Sequence, residues 1–94
     1  MFHVCIFTDY SHQKFVITGG LSEKEIKENL SRIIAEKYTK RDFGKLVVFK
    51  SYLMISDGEA FLAAIKNMDS REILRFIASE NPRMVDLSHH LVNQ

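Results

Sequence analysis

One thiol, four imidazoles and a glycine pair ahead of a helix are the groups in this chain with chemistry to offer. Cys5 stands in the apolar run Val4-Cys5-Ile6-Phe7, where a buried, inert thiol is the usual outcome. As the single cysteine it can form neither an intrachain disulfide nor a cysteine-based zinc cage. His89 and His90 are adjacent; neighbours on a regular element point apart, so the pair reads as titrating surface histidines rather than a chelate. His3 and His12 lie too far away in sequence to be placed beside them. Gly19-Gly20-Leu21-Ser22 precedes a helical pattern whose free amides could hold a phosphate. It lacks the spacing and the lysine of a P-loop, and reads as a tight strand-to-helix turn that needs positive φ. Nothing activates a nucleophile: no Ser-His-Asp or Cys-His arrangement is present.

Binding is the alternative to catalysis. A net charge of +1 excludes strong attraction to nucleic acid or anionic lipid. Lys24, Lys27, Arg32, Lys37, Lys40, Arg41, Lys45 and Lys50 share the middle of the chain, but Glu25, Glu28, Glu36 and Asp42 interleave with them. A solvated helix face with i,i+4 pairs is favoured over a phosphate-binding patch. Lys24, Lys27, Arg32, Lys40 and Arg41 are the binding candidates if they share one face. Tyr10, in a loop, and Tyr52, late in a strand, are the rings on which bases could stack.

These groups depend on the elements that carry them. Ninety-four residues, 46% hydrophobic, fit one globular domain over residues 1–94. A chain this short spends most of its apolar side chains on one core, leaving function to outer faces or a shallow cleft. It has no membrane-length apolar stretch and no secretory leader pattern, so a cytoplasmic protein is expected. Phe2 to Thr8 and Lys14 to Thr18 read as a hairpin with a longer loop, ended by Gly19-Gly20. Ser22 and Glu25 form a capping box, and Ile26, Leu30, Ile33, Ile34 and Tyr38 recur at helical spacing to about Lys37. After a charged connection at Thr39 to Gly44, the run Lys45 to Ile55 is a strand apolar enough for a central position. Ser56-Asp57-Gly58-Glu59 and Asp69-Ser70-Arg71-Glu72 each offer a further capping box. Ala60, Phe61, Ala64, Ile65 and Met68 follow the first; Ile73, Leu74, Phe76 and Ile77 follow the second. Asn81-Pro82 stops the last helix, and the tail packs through Met84, Val85 and Leu87. The class is α/β in the α+β sense: a small three-stranded sheet flanked by helices, in the order β-β-α-β-α-α.

That order, with VCIF at Val4 to Phe7, FVIT at Phe15 to Thr18, YTKR at Tyr38 to Arg41 and KLVVF at Lys45 to Phe49, resembles the GIY-YIG nuclease family. The similarity is strongest to its small stand-alone bacterial members. Ile65-Lys66, Phe76-Ile77, Asn81-Pro82 and Asp86-Leu87 fall in register with the family's C-terminal signature. The resemblance implies a nuclease scaffold using two strand tyrosines, a helix arginine and a metal-holding glutamate. Here the tyrosine positions fall on Cys5 and Val16, the motif glycine on Thr18, the arginine region on Glu25-Ile26 and the glutamate on Leu62. Leucine cannot hold a hard cation, which wants oxygen ligands, and a glutamate repels the phosphate that an arginine would clamp. Sliding the alignment to use Glu59, or Gly19 with Ile17, recovers no more than one functional group.

The resemblance therefore implies a non-catalytic module that acts by binding, without cofactor or metal. Its former cleft, made apolar by Cys5, Val16 and Leu62, suits a protein partner as regulator or inhibitor. A nucleic-acid binder that keeps the family's ligand is the alternative, and a divalent-metal-dependent endonuclease with a relocated site is the second. Self-association through the same apolar face is also open.

Overall fold

A computed structural model describes residues 1–9, 11, 12, 14–37 and 44–92. Its strands are β1 (Phe2–Thr8), β2 (Phe15–Gly20) and β3 (Lys45–Tyr52). Its helices are α1 (Glu23–Lys37), α2 (Ile55–Lys66), α3 (Ser70–Glu80) and a closing turn, α4 (His89–Val92). The class is α+β, with a three-stranded antiparallel sheet and the expected β-β-α-β-α-α order.

β1, not β3, is central: the strand order is β2-β1-β3. Every residue of β1 except His3 is buried, whereas β3 opens to solvent beyond Val48. The apolar run that made β3 look central has another cause. A register shift between Ile6 and Phe7 leaves Val47 without an opposite residue on β1. Such a bulge lets consecutive side chains turn the same way. Val47 and Val48 both enter one core cluster, while Leu46 enters the other.

The two clusters lie on opposite faces of the sheet, as period-2 alternation requires. Phe2, Val4 and Ile6 of β1 meet Ile65 of α2 and Ile73 and Ile77 of α3. Cys5 and Phe7 meet Val16 of β2, Ile26 and Ile34 of α1, and Leu91 of α4. Gly58 is the buried residue where α2 crosses the Phe2 ring.

The helix ends differ in how they are satisfied. Ser22 Oγ accepts from the Glu25 amide (3.2 Å), and the Glu25 carboxylate accepts from the Leu21 amide (3.2 Å), one residue before the cap. At α3 the expected box closes fully: Asp69 Oδ1 accepts from the Glu72 amide (2.8 Å) and Glu72 Oε1 from the Asp69 amide (3.2 Å). The box expected at Ser56–Glu59 does not form, because α2 already begins at Ile55 with Met54 as an N-cap that makes no side-chain bond. Asp57 in its first turn supplies favourable charge instead. β3 accordingly stops at Tyr52, short of the expected Ile55.

Two further expectations are corrected. Gly19 and Gly20 lie within β2, and neither has positive φ. Glycine is required at Gly19 by proximity: a Cβ there would stand 2.8 Å from the His3 carbonyl oxygen. In the tail, Met84 and Leu87 do pack on the core but Val85 stays half exposed, and Leu91 is the buried anchor. The tail also covers the outer edge of β3 at Leu46 and Val47. Leu87 N donates to the Leu46 carbonyl (2.7 Å), Leu46 N to Asp86 Oδ1 (3.2 Å), and Asn81 Nδ2 to the Val47 carbonyl (3.0 Å).

Candidate functional site

The positions that the resemblance would make catalytic do not converge. Cys5 and Val16 share the face covered by α1 and α4, while Leu62 on α2 packs against the opposite cluster. Cys5 is fully buried and Val16 nearly so. Ile26 is fully buried beside them, and Glu25 points outward as a capping residue. The expected apolar cleft of Cys5, Val16 and Leu62 is therefore absent: the sheet separates its members, and the chain's own helices fill the space.

Burial pushes the Cys5 thiol up to about 12. An unfolded thiol ionises near pH 8.5, so above that pH the unfolded chain releases the proton first. Stability contributed by the neutral thiol is complete below pH 8.5 and declines as pH rises towards 12. The slope approaches about 1.4 kcal/mol per pH unit. Urea unfolding at pH 8 and pH 10 should show this loss in the native chain and a smaller one in Cys5→Ala. Equal losses in both would discount burial of the thiol as the cause.

The basic candidates divide. Glu23, Lys24, Lys27, Glu28 and Ser31 line a shallow trough on the outer face of α1. Lys27 Nζ pairs with Glu23 Oε1 at i,i+4, and Arg32 Nη2 donates to Asn29 Oδ1 (2.7 Å), which turns it aside from the trough. Two acids beside two lysines leave no single-sign field, so this is the solvated helix face that the interleaved charges foretold. Lys40, Arg41 and Tyr10 lie outside the described residues.

Tyr52 is half-buried at the end of β3, where its ring meets Phe61 (5.5 Å) and Phe61 meets Phe76 (5.5 Å). Lys50 Nζ lies 5.7 and 5.9 Å from the two phenylalanine rings and pairs with Glu80 (2.6 Å). This cluster closes the margin of the core and engages the Tyr52 ring with Phe61.

The histidines behave differently from expectation. His89 and His90 do not point apart; their ring centroids are 4.3 Å from each other. His90 and His3 both stack on Phe49, each at 5.2 Å, and His3 Nδ1 lies 2.7 Å from Ser51 Oγ. Burial, and then the N-terminal charge, lower the His3 pKa. Among the described residues no three His, Cys, Asp or Glu side chains are placed to hold a metal ion.

One surface escaped sequence reasoning. Pairing of Phe2 with Tyr52 and of His3 with Gly20 brings Met1, Leu21 and Leu53 to the same end of the sheet. Met54 and Ile55 continue from Leu53 into α2. Leu53 is 81% exposed, Met1 68% and Met54 59%, with Leu21 and Ile55 near half. The signal was present as Leu53-Met54-Ile55, but reading it as the end of a strand assigned it to the core. No family model, curated protein or solved structure matches the chain. No helix among the described residues is long and apolar enough to cross a membrane.

Proposed function

We propose that this chain is a non-catalytic, GIY-YIG-like module that acts by binding another protein, as a regulator or inhibitor. The observation that carries this reading is the exposed apolar end formed by Met1, Leu21, Leu53, Met54 and Ile55. Isolated surface hydrophobes need no explanation, but five large ones gathered at one end of a sheet are what a docking surface offers. Flexible methionine and branched aliphatic side chains suit a protein surface better than a phosphate backbone. The packed Cys5, Val16 and Leu62 support the non-catalytic part, since none offers an oxygen ligand and the Cys5 thiol is fully buried and held neutral. A nucleic-acid reading has less support, because Lys24 and Lys27 share their face with Glu23 and Glu28.

A photo-crosslinking side chain at Leu53 tests the reading in cells, with one at Leu74 on α3 as the control. Leu53 should yield one dominant protein adduct that Leu74 does not, and Met54→Asp should abolish it. Adducts of equal yield from both positions, or adducts to nucleic acid, would count against a protein-docking end.

A further inference from the structure

The two outer edges of the sheet are treated differently. On β3 the tail supplies Leu87, Asp86 and Asn81 to the outward groups of Leu46 and to the carbonyl of Val47, covering the half of that edge nearest the tail. On β2 the outward groups are those of Phe15, Ile17 and Gly19. Two hydrogen bonds fix this parity. Asp9 N donates to the Lys14 carbonyl (3.4 Å), so Lys14 faces β1 and alternate residues from it do the same. Asn29 Nδ2 reaches the Gly19 carbonyl from α1 (3.0 Å), so Gly19 faces away from β1. Among the described residues, nothing pairs with the outward amides and carbonyls of Phe15 and Ile17.

An open edge is a template for another strand, and natural proteins blunt it with lysine, proline, a bulge or a cover. β2, Phe-Val-Ile-Thr-Gly-Gly, has none of these in its own sequence and pairs with β1 without a register shift. We propose that β2 pairs antiparallel with β2 of a second copy, joining two sheets into one across a two-fold axis. This rests on the edge alone and is independent of the apolar end used for the proposed function.

The pattern of β2 selects the occupant. With Ile17 opposite Ile17 of the second copy, both residues exchange N–H and C=O bonds, as an antiparallel hydrogen-bonded pair requires. The same register sets Phe15 opposite Gly19 of the second copy, and the reverse. Its outward groups therefore match themselves, which is the condition for an isologous interface. An aromatic ring facing an edge glycine is also a favourable cross-strand pair, since the ring covers backbone that glycine leaves bare. Phe15 and Ile17 are only half-buried on the α2 face of the sheet, so an added strand would complete their burial. The Asn29 bond need not break, because a carbonyl oxygen has two lone pairs.

Sedimentation velocity over a concentration series, with amide exchange on the same samples, tests the pairing. The weight-average mass should rise towards that of a dimer. Exchange at Phe15, Ile17 and Gly19 should slow by about tenfold where dimer dominates, while Val16 and Thr18, already paired with β1, should not change. Ile17→Pro removes an outward N–H that the sheet itself does not use, a substitution an edge strand tolerates, and should remain monomeric. Should that variant not fold, exchange in the native chain still decides. A native chain that stays monomeric at millimolar concentration overturns the pairing. So does a dimer that leaves exchange at Phe15 and Ile17 unaltered, or protection that arises only on adding an extended peptide of another protein.

Discussion

Gly58→Ala should destabilise the protein by about 2 kcal/mol, although the same change in an open helix would stabilise it. In a helix interior alanine is better than glycine by about 1 kcal/mol. Against this stands the crossing of α2 over β1. A Cβ at Gly58 would lie 2.4 Å from Phe2 Cδ2, 3.0 Å from Cγ and 3.1 Å from Cβ. These atoms are at the root of the ring, so rotating the ring tip gives no relief. Phe2 is itself buried in the α2 cluster, and overpacking of a filled core costs about 1–3 kcal/mol or more. The steric cost is the larger of the two. Urea unfolding of Gly58→Ala, and of Gly58→Ala combined with Phe2→Leu, checks this. The double variant should recover part of the loss, since removing the ring removes the obstacle. A single variant as stable as the native chain would mean that α2 does not approach β1 this closely.

Asn81→Ala should cost about 2 kcal/mol and open one edge of the sheet selectively. The Asn81 side chain donates to the carbonyls of Val47 (3.0 Å) and Val85 (2.9 Å) and accepts from the Val85 amide (3.1 Å). A net hydrogen bond is worth about 1 kcal/mol, and a half-buried carbonyl left without its partner adds to the cost. The Val47 carbonyl matters most, because a bulge residue has no ladder partner to fall back on. Amide exchange should accelerate at Leu46 and Leu87, which the tail holds, and remain unchanged at the β1–β2 pairs. Asn81→Asp should be no better than alanine, since it sets a carboxylate oxygen against two carbonyls. Uniform acceleration throughout the sheet would show that the tail is not a separate closure.

Much of the fold is legible in the sequence because it is local. The Asp69–Glu72 box, the Ser22 cap, the Asn81-Pro82 stop and the β-branched runs each depend on residues within a few positions. What could not be read depends on distant partners. Val47-Val48 signals a buried strand, yet nothing nearby says that a bulge aims both at one face while β1 takes the centre. Asn81 and Asp86 look like turn residues until they meet Val47 and Leu46, which lie 34 and 40 positions earlier. The candidate site failed in the same way. Alternation alone puts Cys5 and Val16 on one face once the hairpin register is known, but the face that α2 covers is a tertiary choice. Leu53-Met54-Ile55 has the composition of a core strand, and only its position at the sheet's end leaves it exposed.

The central place of β1 has a consequence for how the molecule is made. Its hairpin partner follows within a few residues, but Phe2 meets Tyr52 only after the chain has returned across α1. Hairpins close in microseconds, whereas distant pairings wait for the entropy of a long loop to be overcome. Until β3 docks, Val4-Cys5-Ile6-Phe7 stands with one flank unprotected, in a nascent or refolding chain that has no tail in place. In that interval, docking of β3 competes with capture by a neighbouring molecule, and dilution favours the docking.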